Sequence, residues 1–173
     1  MRQIIKQSAN AVIERDGDRV VKTFFRPRVS LDKRWTLHYE AYYNMFGGVV
    51  RVLEADENRI VMDHVEGEPL ENIFWKSENR DHAFAYRSFS AIMQNLANMA
   101  EYSSMIDNVW YHNDAGTHNY IFDGKKFVLV DPDGFFLTKN PYPGAFVSSL
   151  HPLHNILKVL HVVHEKDYNE HVK

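Results

Sequence analysis

The feature that most constrains this chain is an ordered pair of polar motifs in its second half. The first is the pattern His-x-Asp-x-x-x-x-Asn, formed by His112, Asp114 and Asn119. The second is Asp131-Pro132-Asp133-Gly134, which follows the apolar run Phe127–Val130. Each motif alone would be an ordinary turn, because Asp and Asn side chains bond to nearby backbone amides. Two such motifs in series, separated by strand residues, instead favour a shared function.

The segment between the two motifs predicts a β-hairpin. Tyr120–Phe122 has the composition of a short strand, Asp123-Gly124 is a hairpin turn, and Phe127–Val130 is the partner strand. Asn119 lies at one end of this hairpin and Asp131 lies at the other. Both side chains can therefore face one metal ion.

These residue types suit phosphoryl transfer. Such a site needs a carboxylate that orients the attacking hydroxyl group, and oxygen ligands that hold Mg²⁺ against the phosphates. Asp114 suits the first role, whereas Asn119 and Asp131 suit the second. Asp133 is a further candidate ligand for a second metal ion. These residue types therefore predict Mg²⁺ and a phosphate donor.

The order of the motifs resembles that of the catalytic loop and metal-binding segment in the protein-kinase-like superfamily. The resemblance extends upstream to Arg19-Val20-Val21-Lys22, which is similar to the lysine-bearing strand of that family. It implies that Lys22 binds the α- and β-phosphates, and that Glu40, on a helix predicted over Leu31–Phe46, pairs with Lys22. The resemblance covers most of the chain, from about Gln3 to Gly134.

The same resemblance assigns a nucleotide pocket. Arg59–Gly67 is similar to the fifth strand and the hinge between two lobes, where Met62 would guard the adenine pocket. The hinge backbone would pair with the adenine edge, and the small residues of Gln7–Val12 would bring backbone amides to the phosphates. The nucleotide-binding residues implied in this way are Ser8, Ala9, Asn10, Lys22, Glu40, Met62, Asp63, His64 and Val65.

Several departures from the protein-kinase pattern narrow the resemblance. No Gly-x-Gly-x-x-Gly motif precedes Lys22, and Gly116 stands where Ser/Thr protein kinases carry a lysine. Pro132 replaces the phenylalanine of the metal-binding segment, and its fixed φ argues against a flip of that segment. The chain after Asp131 is short for a full activation segment and helical subdomain. It therefore resembles a minimal, atypical kinase of bacterial or phage type, and it is similar to RIO-type and Bud-type kinases and to aminoglycoside phosphotransferases.

The implied fold class is α+β, with two lobes in a minimal protein-kinase-like arrangement. Residues 1–65 are expected to form a small lobe, an antiparallel sheet with one helix, and residues 66–173 a reduced, mainly helical large lobe. We expect Ser30 to cap the first helix and Gly47-Gly48 to end it. The predicted strands are Gln3–Gln7, Ala11–Arg15, Arg19–Phe25, Val49–Ala55 and Arg59–His64, and the predicted helices are Leu31–Phe46, Leu70–Lys76, Asp81–Ser104 and Leu150–His164.

Composition agrees with a compact domain and excludes several classes. The 173 residues are 45% hydrophobic and 13% aromatic, which is enough to bury a core. The net charge of −3 argues against a nucleic-acid-binding surface, and the lack of cysteine excludes disulfides and thiolate metal sites. No apolar run approaches the ~18 residues of a membrane span. We expect a cytoplasmic protein without nucleic-acid or membrane partners, and its oligomeric state stays open.

The sequence leaves three functions open. The favoured one is an ATP- and Mg²⁺-dependent kinase acting on Ser/Thr or Tyr hydroxyls of a protein substrate, with Asp114, Lys22 and Asn119 as catalytic residues. The second is a small-molecule kinase of the aminoglycoside or sugar type. The third is a kinase-shaped binding module without activity, which the altered phosphate loop favours. A metal site formed by the histidines of Leu150–His164 is disfavoured, because histidines on an amphipathic helix are commonly solvated.

Overall fold

The computed structural model describes residues 2–75 and 82–139. The helix predicted over Leu150–His164, with its histidines, lies outside the described residues. The strands are β1 (Gln3–Gln7), β2 (Ala11–Asp16), β3 (Arg19–Phe24), β4 (Val52–Ala55), β5 (Arg59–Asp63), β6 (Glu68–Pro69), β7 (Val109–His112), β8 (Tyr120–Phe122), β9 (Phe127–Leu129) and β10 (Phe135–Thr138), and the helices are α1 (Lys33–Phe46), α2 (Leu70–Trp75) and α3 (His82–Met105).

The first half of the chain forms a five-stranded antiparallel sheet in the order β1-β2-β3-β5-β4. Gly17, with a φ of +66°, turns β2 into β3, because glycine adopts this left-handed conformation without a steric penalty. The central strand β3 buries Val20, Val21 and Phe24. Lys22 therefore lies in the middle of the sheet, opposite Ile13 on one side and Ile60 on the other.

Helix α1 begins two residues later than predicted, and its cap is not Ser30. The side chain of Asp32 accepts a hydrogen bond from the amide of Trp35 at 2.8 Å, so Asp32 is the N-cap. Asp32 occupies this position because its carboxylate meets one of the unpaired amides of the first turn. The predicted end of the helix is confirmed, since Gly47 caps it with a φ of +63°.

The strand predicted over Val49–Ala55 is shorter, because its first residues pair elsewhere. β4 begins only at Val52, whereas Val49 forms a parallel bridge with Leu129. The amide of Val50 donates to the carbonyl of Leu129 at 2.9 Å, and the amide of Leu129 donates to Gly48 at 3.0 Å. These bonds join the first half of the chain directly to β9.

The second half surrounds the two polar motifs with short sheets. The hairpin predicted between the motifs is confirmed as β8 and β9, to which β6 adds a third strand. The strands β7 and β10, which the sequence did not predict, pair antiparallel with His112 opposite Phe135. Helix α3 packs apolar side chains inward, with Ile92 and Met99 buried.

An aromatic cluster holds α1 against the strands that flank the motifs. Trp35 stacks on Tyr39 with ring centroids 4.9 Å apart, and Trp110 stacks on Phe135 at 5.2 Å. The indole nitrogen of Trp35 donates to the carbonyl of Phe135 at 3.0 Å. The helix of the first half is thus fixed to β7 and β10 of the second half.

The observed elements form the expected α+β fold, whereas the division into lobes at residue 65 stays a prediction. Within residues 2–75 and 82–139, no helix combines the length and apolarity that crossing a bilayer requires.

Candidate functional site

A cavity of about 490 Å³ lies between the five-stranded sheet and the loops that carry the two polar motifs. Its walls combine apolar side chains with charged and polar ones at one end. The apolar lining includes Ala11, Val20, Val50, Met62 and Val130, and the polar lining includes Lys22, Asp114, His118, Asn119 and Asp131. This size falls within the range of roughly 300–1,000 Å³ that is typical of small-molecule sites.

Lys22 is held by the second polar motif. Its ammonium nitrogen lies 2.6 Å from Oδ1 of Asp131 and 2.5 Å from Oδ1 of Asp133. Asp133 is the more buried carboxylate, with 6% of its side chain exposed, and Arg28 approaches its other oxygen at 3.7 Å. A lysine ammonium has three hydrogen-bond donors, so these two contacts leave one donor for a further ligand.

The charges of this cluster shift the pKa of each member. Burial by itself lowers the pKa of Lys22, but the carboxylates of Asp131 and Asp133 outweigh burial, so that the pKa is raised. Burial likewise works against ionisation of Asp131, but the Lys22 ammonium outweighs it and lowers the pKa of this carboxyl. Burial and the neighbouring charge of Asp131 raise the pKa of Asp133. Two carboxylates thus share one ammonium.

Glu40 is not the partner of Lys22, contrary to the sequence-based expectation. Its side chain is exposed and lines a separate depression beside Arg51 and Glu54. The reason is the orientation of α1, which buries Trp35, Tyr39 and Tyr42 in the aromatic cluster. Successive helix residues are about 100° apart, so a helix that turns Tyr39 inward turns Glu40 away from it.

The first polar motif fixes the backbone of Asp114 from two sides. The amide of Asp114 donates to Nδ1 of His112 at 3.1 Å. The side-chain amide of Asn119 donates to the carbonyl of Asp114 at 2.7 Å. The catalytic-loop candidate Asp114 is therefore placed by the other two polar residues of its own motif.

His112 connects the two motifs. Because Nδ1 accepts a hydrogen bond from a backbone amide, the ring proton is on Nε2, which donates to the carbonyl of Asp131 at 2.7 Å. The ring is fully buried, and burial lowers the pKa of His112 despite the nearby carboxylates of Asp131 and Asp114. His112 is therefore a neutral structural residue that aligns Asp114 with Asp131.

The predicted metal ligands are partly brought together. Asn119 and Asp131 both line the cavity, and the amide of Val130 donates to the carbonyl of Asn119 at 2.8 Å, which holds the two residues side by side. Asp133 does not line the cavity and instead anchors Lys22. Among the residues the structure describes, no group of three or more His, Cys, Asp or Glu side chains could hold a metal ion.

The loop expected to bind phosphate closes on itself. The hydroxyl of Ser8 accepts hydrogen bonds from the amides of Asn10 at 3.2 Å and Ala11 at 3.1 Å. These amides are therefore not directed to a ligand, and only Ser8 of the three predicted residues lines the cavity, since Ala9 and Asn10 lie outside its lining. No residue of this loop has a positive φ, because the loop contains no glycine.

The predicted hinge residues Met62, Asp63, His64 and Val65 all line the cavity. Two of their amides have backbone partners, because Asp63 donates to Arg51 at 3.0 Å and His64 donates to Asp18 at 2.7 Å. The amides of Asp63 and His64 are thus already bonded to protein carbonyls, whereas the expected pairing used them for an adenine edge.

Comparison with solved structures identifies the fold. The ternary complex of APH(2")-IIa with streptomycin and ATP superposes with a TM-score of 0.55 over 80% of this chain and 67% of that chain, at 14% sequence identity. The ADP-bound aminoglycoside phosphotransferase APH(2'')-Ib gives the same TM-score and coverages at 13% identity. The chain has a protein-kinase-like fold. No protein-family model and no curated protein sequence matches it.

The kinase-like fold contains two site residues that sequence reasoning missed. His118 contacts Asp114, with its Nε2 atom 3.2 Å from Oδ2 of the carboxylate. Arg28 approaches Asp133 and also lies over the ring of Phe24 at 5.4 Å. The signal for His118 was present in the sequence, because a histidine four residues after Asp114 and beside a glycine is able to fold back on it. Arg28 lies in the loop between β3 and α1, where no helical or strand periodicity in the sequence predicts what its side chain contacts.

Proposed function

We propose that this protein transfers the γ-phosphoryl group of ATP to a hydroxyl group of a small molecule. The observation that carries the proposal is the position of Lys22, Asp114, Asn119 and Asp131 in the lining of one cavity within a kinase-like fold. Four residues from β3 and from both polar motifs converge there. A phosphoryl-transfer site needs these types: a cation for phosphate, a carboxylate for the acceptor and oxygen ligands for metal.

Each residue has a defined part in the proposed reaction. Lys22 binds the α- and β-phosphates through the donor that its two aspartate contacts leave. The acceptor hydroxyl gives its proton to the carboxylate of Asp114 while its oxygen bonds to the γ-phosphorus. The bond from that phosphorus to the bridging oxygen breaks, and ADP leaves with the electron pair. The products are a phosphate ester, ADP and a proton.

The donor set also fits Mg²⁺. The ion prefers oxygen ligands and is usually bound by one or two carboxylates together with substrate phosphates, so Asp131 and the amide oxygen of Asn119 suffice for the protein's share. When bound, Mg²⁺ neutralises charge on the phosphates. The absence of a larger acidic cluster among the described residues is compatible with this mode of binding.

The comparisons support a small-molecule acceptor. The two solved structures compared above are of aminoglycoside phosphotransferases, and aminoglycosides are small molecules. The catalytic loop has Gly116 where Ser/Thr protein kinases carry a lysine, and this departure is shared with small-molecule kinases. The protein-hydroxyl acceptor that the sequence favoured becomes the competing outcome of the experiment.

The first experiment measures nucleotide binding and transfer separately. Millimolar Mg-ATP should raise the thermal unfolding midpoint, because a ligand that binds only the folded state stabilises it. Asp114→Asn should keep this shift and abolish transfer of labelled γ-phosphate, because an amide cannot accept the proton of the acceptor. Lys22→Ala should reduce the shift itself. A parent protein with no shift and no transfer would favour the binding module.

The second experiment identifies the acceptor class. The protein is incubated with labelled Mg-ATP and either a panel of aminoglycosides and other hydroxylated small molecules or the protein fraction of a cell lysate. Asp114→Asn serves as the matched control in both arms. Label on a small molecule supports the proposal, whereas label confined to protein replaces the small-molecule acceptor by a protein hydroxyl.

A further inference from the structure

The carboxylate of Asp114 is less constrained than its backbone. His112 and Asn119 fix the backbone amide and carbonyl of Asp114. The carboxylate, by contrast, is 57% exposed, and within residues 2–75 and 82–139 its hydrogen-bond partner is the ring of His118 at 3.2 Å. An exposed aspartate that lacks such a contact can occupy several rotamers, and only some of them can orient an acceptor.

The loop that follows Asp114 places His118 at that carboxylate. A 3₁₀ turn over Thr117–Asn119 follows Gly116, and the amide of Asn119 closes it on the carbonyl of Gly116 at 2.9 Å. This turn brings His118 back over Gly116, four residues after Asp114. Both His118 and Asp114 line the cavity, so their contact lies at the proposed site of transfer.

A glycine is needed at position 116 because of the neighbouring ring of His118, and not because of the backbone conformation. Its φ of −66° is one that any residue adopts. A Cβ atom at this position would overlap the Cε1 and Nδ1 atoms of His118 and would lie 3.3 Å from Oδ1 of Asp114. The ring of His118 therefore occupies the space that a side chain at position 116 would take. Gly116 and His118 form one structural unit.

We propose that His118 is a positioning residue for Asp114, and that Gly116 makes room for it. This inference rests on the proposed phosphotransferase function. The Nε2–H group of His118 donates to Oδ2 of Asp114, which holds one carboxylate oxygen and leaves Oδ1 to receive the acceptor proton. In this role His118 acts through Asp114. Its contribution is the preorganisation of the proton acceptor.

The test uses hydrolysis of Mg-ATP, with water as the acceptor, because this probe needs no identified substrate. His118→Ala should lower kcat by about tenfold to a hundredfold, the usual effect of a misplaced catalytic group, and leave the KM for ATP nearly unchanged. His118→Gln should recover much of the rate, because its side-chain amide also offers an N–H donor. A rate equally low in both variants overturns the hydrogen-bonding role.

A double-mutant cycle that combines Gly116→Ala with His118→Ala measures whether the two residues act together. Gly116→Ala alone should slow hydrolysis by displacing His118, whereas adding it to His118→Ala should cost little more, because the space is then vacant. Thermal unfolding of all variants verifies that each remains folded. If Gly116→Ala slows His118→Ala as much as it slows the parent, the glycine acts directly on Asp114 and the proposal fails.

The outcomes separate this inference from the proposed function. A parent that hydrolyses Mg-ATP, together with a His118→Ala variant of equal kcat, overturns the positioning role alone. A parent with neither Mg-ATP binding nor hydrolysis overturns the phosphotransferase function, and the positioning role falls with it. A lowered kcat in His118→Ala with recovery in His118→Gln and non-additivity with Gly116→Ala supports both.

Discussion

At the scale of single residues, His112 determines how the two polar motifs meet. One ring nitrogen accepts from the amide of Asp114 and the other donates to the carbonyl of Asp131. The ring also packs edge-on against Phe135 with centroids 4.8 Å apart. Gly134 lies so close that a Cβ atom there would enter the ring of His112. A buried neutral histidine therefore holds the geometry of the site.

This environment predicts a loss of stability in acid. The pKa of His112 is lowered in the folded protein, chiefly by burial, so the unfolded chain binds the proton more tightly. The free energy of unfolding should therefore fall as the pH drops below about 6.5, the pKa of an unperturbed histidine. Protonation would also place a hydrogen on Nδ1, which faces the amide of Asp114.

The measurement compares unfolding curves of the parent and His112→Asn between pH 7 and pH 5. Asparagine keeps an acceptor near the position of Nδ1 but does not titrate, so the variant should be less stable at pH 7 and lose stability less steeply in acid. Parallel losses in the two proteins would show that another group controls the acid response.

At the scale of elements, the first helix shows how a cap is chosen. Ser30 and Asp32 are both residues that favour an N-cap, but only Asp32 bonds to an amide of the first turn, at 2.8 Å from Trp35. The predicted strand Val49–Ala55 is likewise divided, because Val49 and Val50 bond to β9 whereas the residues from Val52 onward form β4.

The two capping candidates give a matched pair of variants. Asp32→Ala should lower the free energy of unfolding by about 1 kcal/mol, because it leaves an amide of the first turn without its partner. Ser30→Ala should change it by less than about 0.5 kcal/mol, as expected for a surface substitution. Denaturant unfolding measures both, and equal losses in the two variants would contradict the assignment of Asp32 as the cap.

At the scale of the whole molecule, the cluster of Lys22, Asp131 and Asp133 joins the five-stranded sheet to the second polar motif. The contacts span more than half of the chain, yet Lys22 lies 2.6 and 2.5 Å from the two carboxylates. The aromatic cluster around Trp35 makes a second connection between the same halves. The cavity lies where these halves meet.

The arrangement predicts which acid orients Lys22. Asp133→Asn should reduce the rise in unfolding midpoint that Mg-ATP causes, because Lys22 loses one of its two anionic contacts. Glu40→Gln should leave that rise unchanged, because Glu40 is exposed and remote from the cluster. Both substitutions remove one negative charge and keep the side-chain shape. A larger effect of Glu40→Gln would show that α1 reorients when nucleotide binds.

The sequence by itself determined the features that depend on short-range patterns. Strand composition and turn residues identified the β8–β9 hairpin, and the sequence also identified α3. The order of Lys22, Asp114, Asn119 and Asp131 also carried the resemblance to the kinase-like fold, and all four residues line the cavity. These signals lie within a few residues of one another, or follow chain order directly, so no packing information was needed.

Only the tertiary structure decided the partner of Lys22, the neighbour of Asp114 and the orientation of α1. Burial of Trp35, Tyr39 and Tyr42 stabilises the helix far more than one ion pair could, so packing turned Glu40 to solvent and left Lys22 to Asp131 and Asp133. The spacing of the three aromatic residues contained part of this answer. The aspartates and lysine themselves are too far apart in sequence for any local pattern to pair them.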